Sequence, residues 1–345
     1  MHYFEGSSIT HICVHKVGNQ SENEYLTLSK KELAIDVVVQ NLLAHYFLKP
    51  FKSEEYFQFF HDSNLSLNEV WTYASAIFEH PEQTLAQSKH LAQHLYNQST
   101  HPNIKGGEFY VVYFKDCQLH GEACDAIGLF KSERKETFLK ILPKEDEFEM
   151  ESEEGININK LDKGCIIFNA EKESGFIVSV VDNTNKSAEA RYWTDEFLHI
   201  QQRQDQYFNT QNKMALYKTY VVKQLPEEYN VTKADQADLL NRTLQFFKEN
   251  QHFDQDSFNT EVLHHKELIN GFEKYKKQYE GESKLILEDN FPISPAAVKK
   301  QNRIFKSIIK LDKNFHIYIH GDRNRIEHGE DEKGRYYKLY FNTES

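Results

Sequence analysis

The chain has 345 residues and a mass of 40.7 kDa, enough for two or three domains with substantial cores. Aromatic residues make up 13% of it, which excludes a disordered chain, and a mean hydropathy of -0.70 without a long apolar run excludes a membrane helix. The formal net charge of -12 excludes indiscriminate attraction to polyanions, so any contact with nucleic acid has to be regional and salt-sensitive.

The first residues, MHYFEGSSIT, have no basic segment followed by an apolar core, so no secretory signal is expected. Four scattered cysteines, Cys13, Cys117, Cys124 and Cys165, form no disulfide framework and imply a reducing, cytoplasmic setting. Residues 9–17 (ITHICVHKV) alternate as a half-buried strand does, with 25–28 as a partner strand. Ser29 is placed to cap a helix beginning near Lys31, with Leu33, Ile35, Val38, Leu42, Leu43 and Phe47 on its apolar side and Pro50 as its stop. Shorter helices are expected over 53–60, 67–79 and 82–97, and 99–107 has the Pro/Gly/Asn content of a connection.

The runs FYVVYF (109–114), AIGLFKS (126–132), ETFLKIL (136–142), KGCIIF (163–168) and GFIVSVV (175–181) are short and β-rich. Most are joined by segments too short for crossover helices, which predicts one mostly antiparallel sheet packed on one face by the N-terminal helices. Residues 144–155 (KEDEFEMESEEG) carry seven acidic side chains and read as a solvated loop, or as an acidic loop repelling partners beside a DNA-facing surface. Helices are expected again at about 187–199, 204–225, 232–250 and 258–280, with Pro226 ending the second and Thr232 capping the third. Aromatics on the first two, among them Tyr192, Trp193, Phe197, Tyr207 and Tyr217, suit either the core or a homodimer surface. Prolines in 289–297 (DNFPISPAA) favour an extended linker. The expected fold class is α+β: a mostly antiparallel central sheet with N-terminal helices, a helical middle region and a small helix-plus-hairpin C-terminal module. The expected divisions are 1–185, 186–288 and 289–345.

The tail gathers the charge that the rest of the chain lacks. Between Val298 and Arg325, eight basic side chains face only Asp312 and Asp322, a local excess of six positive charges. A helix is expected over 296–310, followed by a strand, FHIYIH (315–320), and a second strand, YYKLYF (336–341), pairing back as a hairpin. A basic helix beside a basic hairpin is suited to neutralising phosphates, and Lys299, Lys300, Arg303, Lys306, Lys310, Arg323 and Arg325 form the expected DNA-contact set. The plainer alternative is a solvated module whose lysines keep it soluble. His316 and His320 lie about 13 Å apart on an ideal strand, so a shared metal requires a bend that also brings in Asp322, Glu327 and His328. Cys117 and Cys124 lack a second ligand pair, and Gly106 and Gly107 belong to no phosphate-binding motif. No catalytic residue, cofactor site or metal site is assigned.

Five of these stretches also carry a resemblance: GGEFYVVYF (106–114), KETFLKIL (135–142), NKLDKGCIIFN (159–169), ARYWTDEFLHI (190–200) and DQYFNTQNKMAL (205–216). Together they resemble the bacterial nucleoid-associated protein family, also described as the 37-kDa nucleoid-associated proteins. The resemblance implies a cytoplasmic, nucleoid-associated protein that binds double-stranded DNA without turnover, and it makes a topoisomerase or other chromosome-associated protein a conceivable partner. It carries over no catalytic residue and does not locate DNA contact in the tail. The resulting expectation is a nonenzymatic homodimer engaging the DNA backbone, with no membrane and no cofactor. The alternatives are a protein-interaction adaptor and a divergent metal-dependent nuclease.

Overall fold

A strand with apolar residues on both sides needs cover on both faces of its sheet, and FYVVYF has no polar side. In the computed structural model, which describes residues 6–184, 192–283, 285–305, 308–312, 314–319 and 325–343, that run lies inside an eight-stranded sheet. The fold is α+β, and the chain divides into two compact units, Met1–Arg203 and Gln204–Ser345.

In the first unit the strands are β1 (Ser8–Val17), β2 (Leu26–Thr27), β3 (Phe57–Phe59), β4 (Gly107–Leu119) and β5 (Glu122–Ser132), then β6 (Glu136–Lys144) and β7 (Glu147–Gly155), and finally β8 (Lys163–Phe168), β9 (Ile177–Asp182) and β10 (Ile200–Gln202). The sheet order is β10-β3-β9-β8-β5-β4-β1-β2, antiparallel throughout. The helices are α1 (Val37–Leu48), α2 (Glu69–Glu79) and α3 (Thr84–Gln98). Phe109, Val111 and Tyr113 pack with Val70, Ala74 and Ile77 of α2, Leu91 and Leu95 of α3, and the π-helical turn Tyr192–Leu198. Tyr110, Val112 and Phe114 form a second cluster with Tyr46 and Phe47 of α1. The helices therefore cover both faces, where cover on one face was expected. Trp193, Phe197 and Leu198 are buried in the core, which fills the role left open between packing and dimer surface.

Three local expectations are corrected. The first helix starts at Val37 because the Asp36 carboxylate accepts the amides of both Val38 and Val39 at 2.9 Å; Ser29 instead donates its hydroxyl to the Lys31 carbonyl. Residues 57–59 form β3, not a helix, since pairing with β10 and β9 buries Phe59. The strand ETFLKIL leaves the main sheet: β6 pairs with β7, from Glu136 opposite Gly155 to Lys144 opposite Glu147. The acidic segment expected as a loop is thus largely a strand of a two-stranded arm.

The second unit comprises α4 (Gln206–Thr219), α5 (Leu225–Glu228), α6 (Lys233–Glu249), β11 (His252–Asp254), α7 (Gln255–Phe258), α8 (Lys266–Ser283), β12 (Asn290–Pro292) and α9 (Pro295–Asn302). Two hairpins follow, β13 (Ile308–Leu311) with β14 (Phe315–Tyr318), and β15 (Ile326–Asp331) with β16 (Gly334–Leu339). Pro226 does not end the helix expected before it. A π-helical turn, Tyr220–Gln224, carries α4 into α5, and the Gln236 side-chain amide donates to the Val221 and Val222 carbonyls, which Pro226 has no N–H to reach. Thr232 caps α6 as expected, in a reciprocal box with Asp235. The core of this unit is aromatic. Tyr217 stacks on Phe258 and Phe272 at 4.0 and 4.1 Å, and Phe253 stacks on Phe247 and Phe291. Phe291, Ile293, Val298 and Phe305 are buried in the same cluster.

Candidate nucleic-acid interface

Helix α9 is set up by Ser294, whose hydroxyl accepts the Ala297 amide, and by Pro295 in the first turn. Ala297, Val298 and Gln301 are buried, which turns Lys299, Lys300 and Arg303 outward. Lys299 and Lys300 sit in the last turn, where they also complement the negative end of the helix dipole. The Lys300 ammonium lies 5.5 Å from the centre of the Tyr207 ring, a cation–π contact.

The helix ends at Asn302, eight residues short of the expected Lys310. Residues 308–311 pair instead with β14, Ile309 opposite Ile317 and Lys310 opposite His316. The physical reason is tertiary. Ile309 is fully buried beside Ala234 and Ala237 of α6, a contact that β pairing with 315–318 supports. The expected hairpin between 315–320 and 336–341 is likewise replaced, since β16 pairs with β15. Ile319, Ile326 and Tyr337 join Ile309 against α6, and the Asn241 amide donates to the Ile319 carbonyl at 3.1 Å.

Helix α6 is therefore the common support: α9 and β13 both pack against it. Lys310 is on the exposed face of the first hairpin with His316 opposite it and Tyr318 beside it. Arg325 is exposed at the foot of the second, its carbonyl accepting the Tyr340 amide at 2.9 Å. Among the described residues, Lys299, Arg303 and Lys310 make no ion pair, which leaves their charge facing solvent. Lys306 and Arg323 lie outside the described residues, as do His320 and Asp322.

The second hairpin bounds the patch. Glu327, Glu330, Asp331 and Glu332 offset Lys333, Arg335 and Lys338, and Lys338 pairs with Glu327 at 3.6 Å. Glu327 and His328 are adjacent strand positions and point to opposite faces. Among the described residues no three His, Cys, Asp or Glu side chains are grouped to hold a metal. Elsewhere in this unit, Asp254, Asp256, Glu273 and Asp289 line an acidic recess of the wrong sign for phosphate. Burial pushes the Asp289 carboxyl up, but hydrogen bonds from Lys276 and Lys213 outweigh it and hold the group below the usual carboxylate range.

One surface escaped the sequence reading, the apolar face of the β6–β7 arm. Its signal was present in EFEMES, where Phe148 and Met150 alternate with Glu147, Glu149 and Glu151, the period-two pattern of a strand. The acidic count hid the alternation.

A family model described as nucleoid-associated protein YejK matches residues 13–333, nearly the whole chain. No curated protein matches it.

Proposed function

The chain belongs to the nucleoid-associated protein family, and from that premise we propose that it binds double-stranded DNA through backbone electrostatics, without chemical turnover, in the cytoplasmic nucleoid. The observation that carries this reading is the set Lys299, Arg303 and Lys310, exposed and without ion pairs among the described residues of a chain whose net charge is -12. Lys300 and Arg325 extend the set, and Lys306 and Arg323 belong to it by sequence. Cations on a helix and a hairpin, both braced by α6, can neutralise phosphates without reading bases. The neighbouring Tyr318 and His316 add close contacts to sugar and phosphate. A homodimer would place two such patches on one duplex and raise the effective affinity without any new contact. A topoisomerase or other chromosome-associated protein is proposed as a partner on the family resemblance alone.

The test is a titration of unrelated duplexes by fluorescence anisotropy across a salt series. The slope of log K against log salt is expected to be about -0.9 for each phosphate neutralised. Replacing Lys299, Lys300 and Arg303 by Ala is expected to shallow that slope by roughly 2 to 3 and to weaken binding equally for all sequences. An unchanged slope clears α9 of DNA contact. Absence of binding by the folded protein even at low salt removes the proposal. Duplex cleavage that needs a divalent cation and is lost in Glu327→Gln would instead support the nuclease alternative.

A further inference from the structure

A two-stranded ribbon is marginal in water by itself, and among the described residues the β6–β7 arm makes its ladder without a third strand. Register assigns every side chain of the arm to a face. On one face, Lys140 and Lys144 alternate with Phe138 and Leu142 along β6, opposite Glu147, Glu149, Glu151 and Glu153 of β7. Ion pairs cross this face, Lys140 to Glu153 at 3.2 Å and Lys144 to Glu149 at 2.6 Å. The other face holds Leu139 opposite Ser152, Ile141 opposite Met150 and Pro143 opposite Phe148, with Glu154 as its one charge. Leu139 is 69% exposed, Ile141 59%, Phe148 79% and Met150 64%. Four large apolar side chains side by side at these exposures are a patch of the kind that soluble proteins keep for a partner.

We infer that this face is covered by the same face of a second copy of the chain, so that two arms stack as a four-stranded sandwich about a twofold axis. The distribution of charge favours this occupant. Between Glu136 and Glu154 the arm carries eight acidic and two basic residues, so a DNA backbone is repelled. Those charges, apart from Glu154 and the turn residues Glu145 and Asp146, lie on the far face, which a sandwich turns outward. Stacked sheets stand about 10 Å apart, close to a Debye length at physiological salt, so the two acidic faces repel each other only weakly. Ile141 and Met150 form the middle pair of the patch, so a twofold axis through them brings like residues together without opposing charges. Covering the four side chains in both copies removes on the order of 1,000 Å² of surface, the threshold for a specific interface.

This inference rests on the proposed homodimer and names its surface; it does not depend on DNA binding. The experiment is sedimentation of the full chain beside the uncharged double variant Ile141→Ser with Phe148→Ser, with circular dichroism and melting as the fold check. Wild-type dimer and folded monomeric variant is the expected result, with dimer affinity lowered on the order of 100-fold. Raising the salt should leave the wild-type dimer intact or tighten it, whereas docking of the acidic arm on the basic tail of another copy would weaken. A wild-type monomer overturns both the arm assignment and the dimer. A variant that stays dimeric overturns the arm alone. Should the double variant unfold, the single variant Ile141→Cys decides: mild oxidation is expected to link two copies through residue 141, and a folded protein that forms no such link overturns the inference. The native thiols compete poorly, because burial pushes Cys13 and Cys124 up to about 11. The monomeric variant is expected to keep the salt slope of the wild type on a short duplex, which separates failure of the arm from failure of the tail.

Discussion

His15 is a buried imidazole on β1, on the same face as Cys13 and Val17. The pattern ITHICVHKV identified the strand correctly, and α3 covers the face that carries Cys13, His15 and Val17. There the ring accepts the Ser29 amide at Nδ1, 3.0 Å away, so Nε2 carries the proton and donates to the Ser88 hydroxyl at 2.9 Å. Burial, with the nearby Lys89 charge adding to it, pushes the imidazole down to about 4. The folded value lies below the unfolded one, so the contribution to stability is complete above about pH 6.5 and is lost as the pH falls toward about 4. Between about pH 7 and pH 5 the loss is roughly 2 kcal/mol. Melting temperatures measured across that range should fall for the wild type and fall less for His15→Gln, whose lower stability at neutral pH is nearly independent of pH from this source. A wild-type curve as flat as the variant's would mean that the ring is solvated.

Elements were legible where local pattern and tertiary demand agreed. FYVVYF and KGCIIF read as strands because they are apolar on both sides and the sheet is covered on both sides. The charge anomaly of the tail was also legible, since counting needs no fold. Residues 308–311 were not, because Ile308 and Ile309 continue the helical spacing of Val298 and Phe305 while the pairing with 315–318 is non-local. The outcome for the candidate site is that Lys310 is carried by a hairpin held on α6 by the small cluster around Ile309, rather than by a continuous helix. Ile309→Ala should cost about 2 to 5 kcal/mol locally, in the range of buried large-to-small substitutions. Hydrogen exchange is expected to speed up at 308–311 and 315–318 while α4 and α8 keep their protection. DNA affinity should fall with it, since a loosened hairpin must be ordered on binding. Unaltered exchange in the hairpin would show that the cluster does not hold it.

At the scale of the molecule, charge and core are distributed on different plans. The first unit presents an arm with a local excess of six negative charges, and the tail of the second has an excess of six positive ones. The aromatic cluster of the second unit, however, extends into the tail. Phe291, Ile293, Val298 and Phe305 are buried with Tyr217, Phe247, Phe258 and Phe272, whereas Ile309, Ile319 and Ile326 belong to a separate cluster on α6. The expected division at 288 is therefore put to the test by two truncations. A chain ending at Glu288 loses Phe291, Ile293, Val298 and Phe305 from the aromatic cluster, worth about 1.5 to 3 kcal/mol each, and it should melt well below the full chain or fail to fold. A chain ending at Phe305 keeps that core and loses only the two hairpins, so it should melt cooperatively and close to the full chain. It retains Lys299, Lys300 and Arg303 but lacks Lys306, Lys310, Arg323 and Arg325. On duplex DNA its salt slope should be shallower by roughly 3 to 4 if all four touch phosphates, with weak binding left on α9. Full retention of the slope would move the DNA contact to α9 or off the tail altogether, and complete loss would place it on the hairpins.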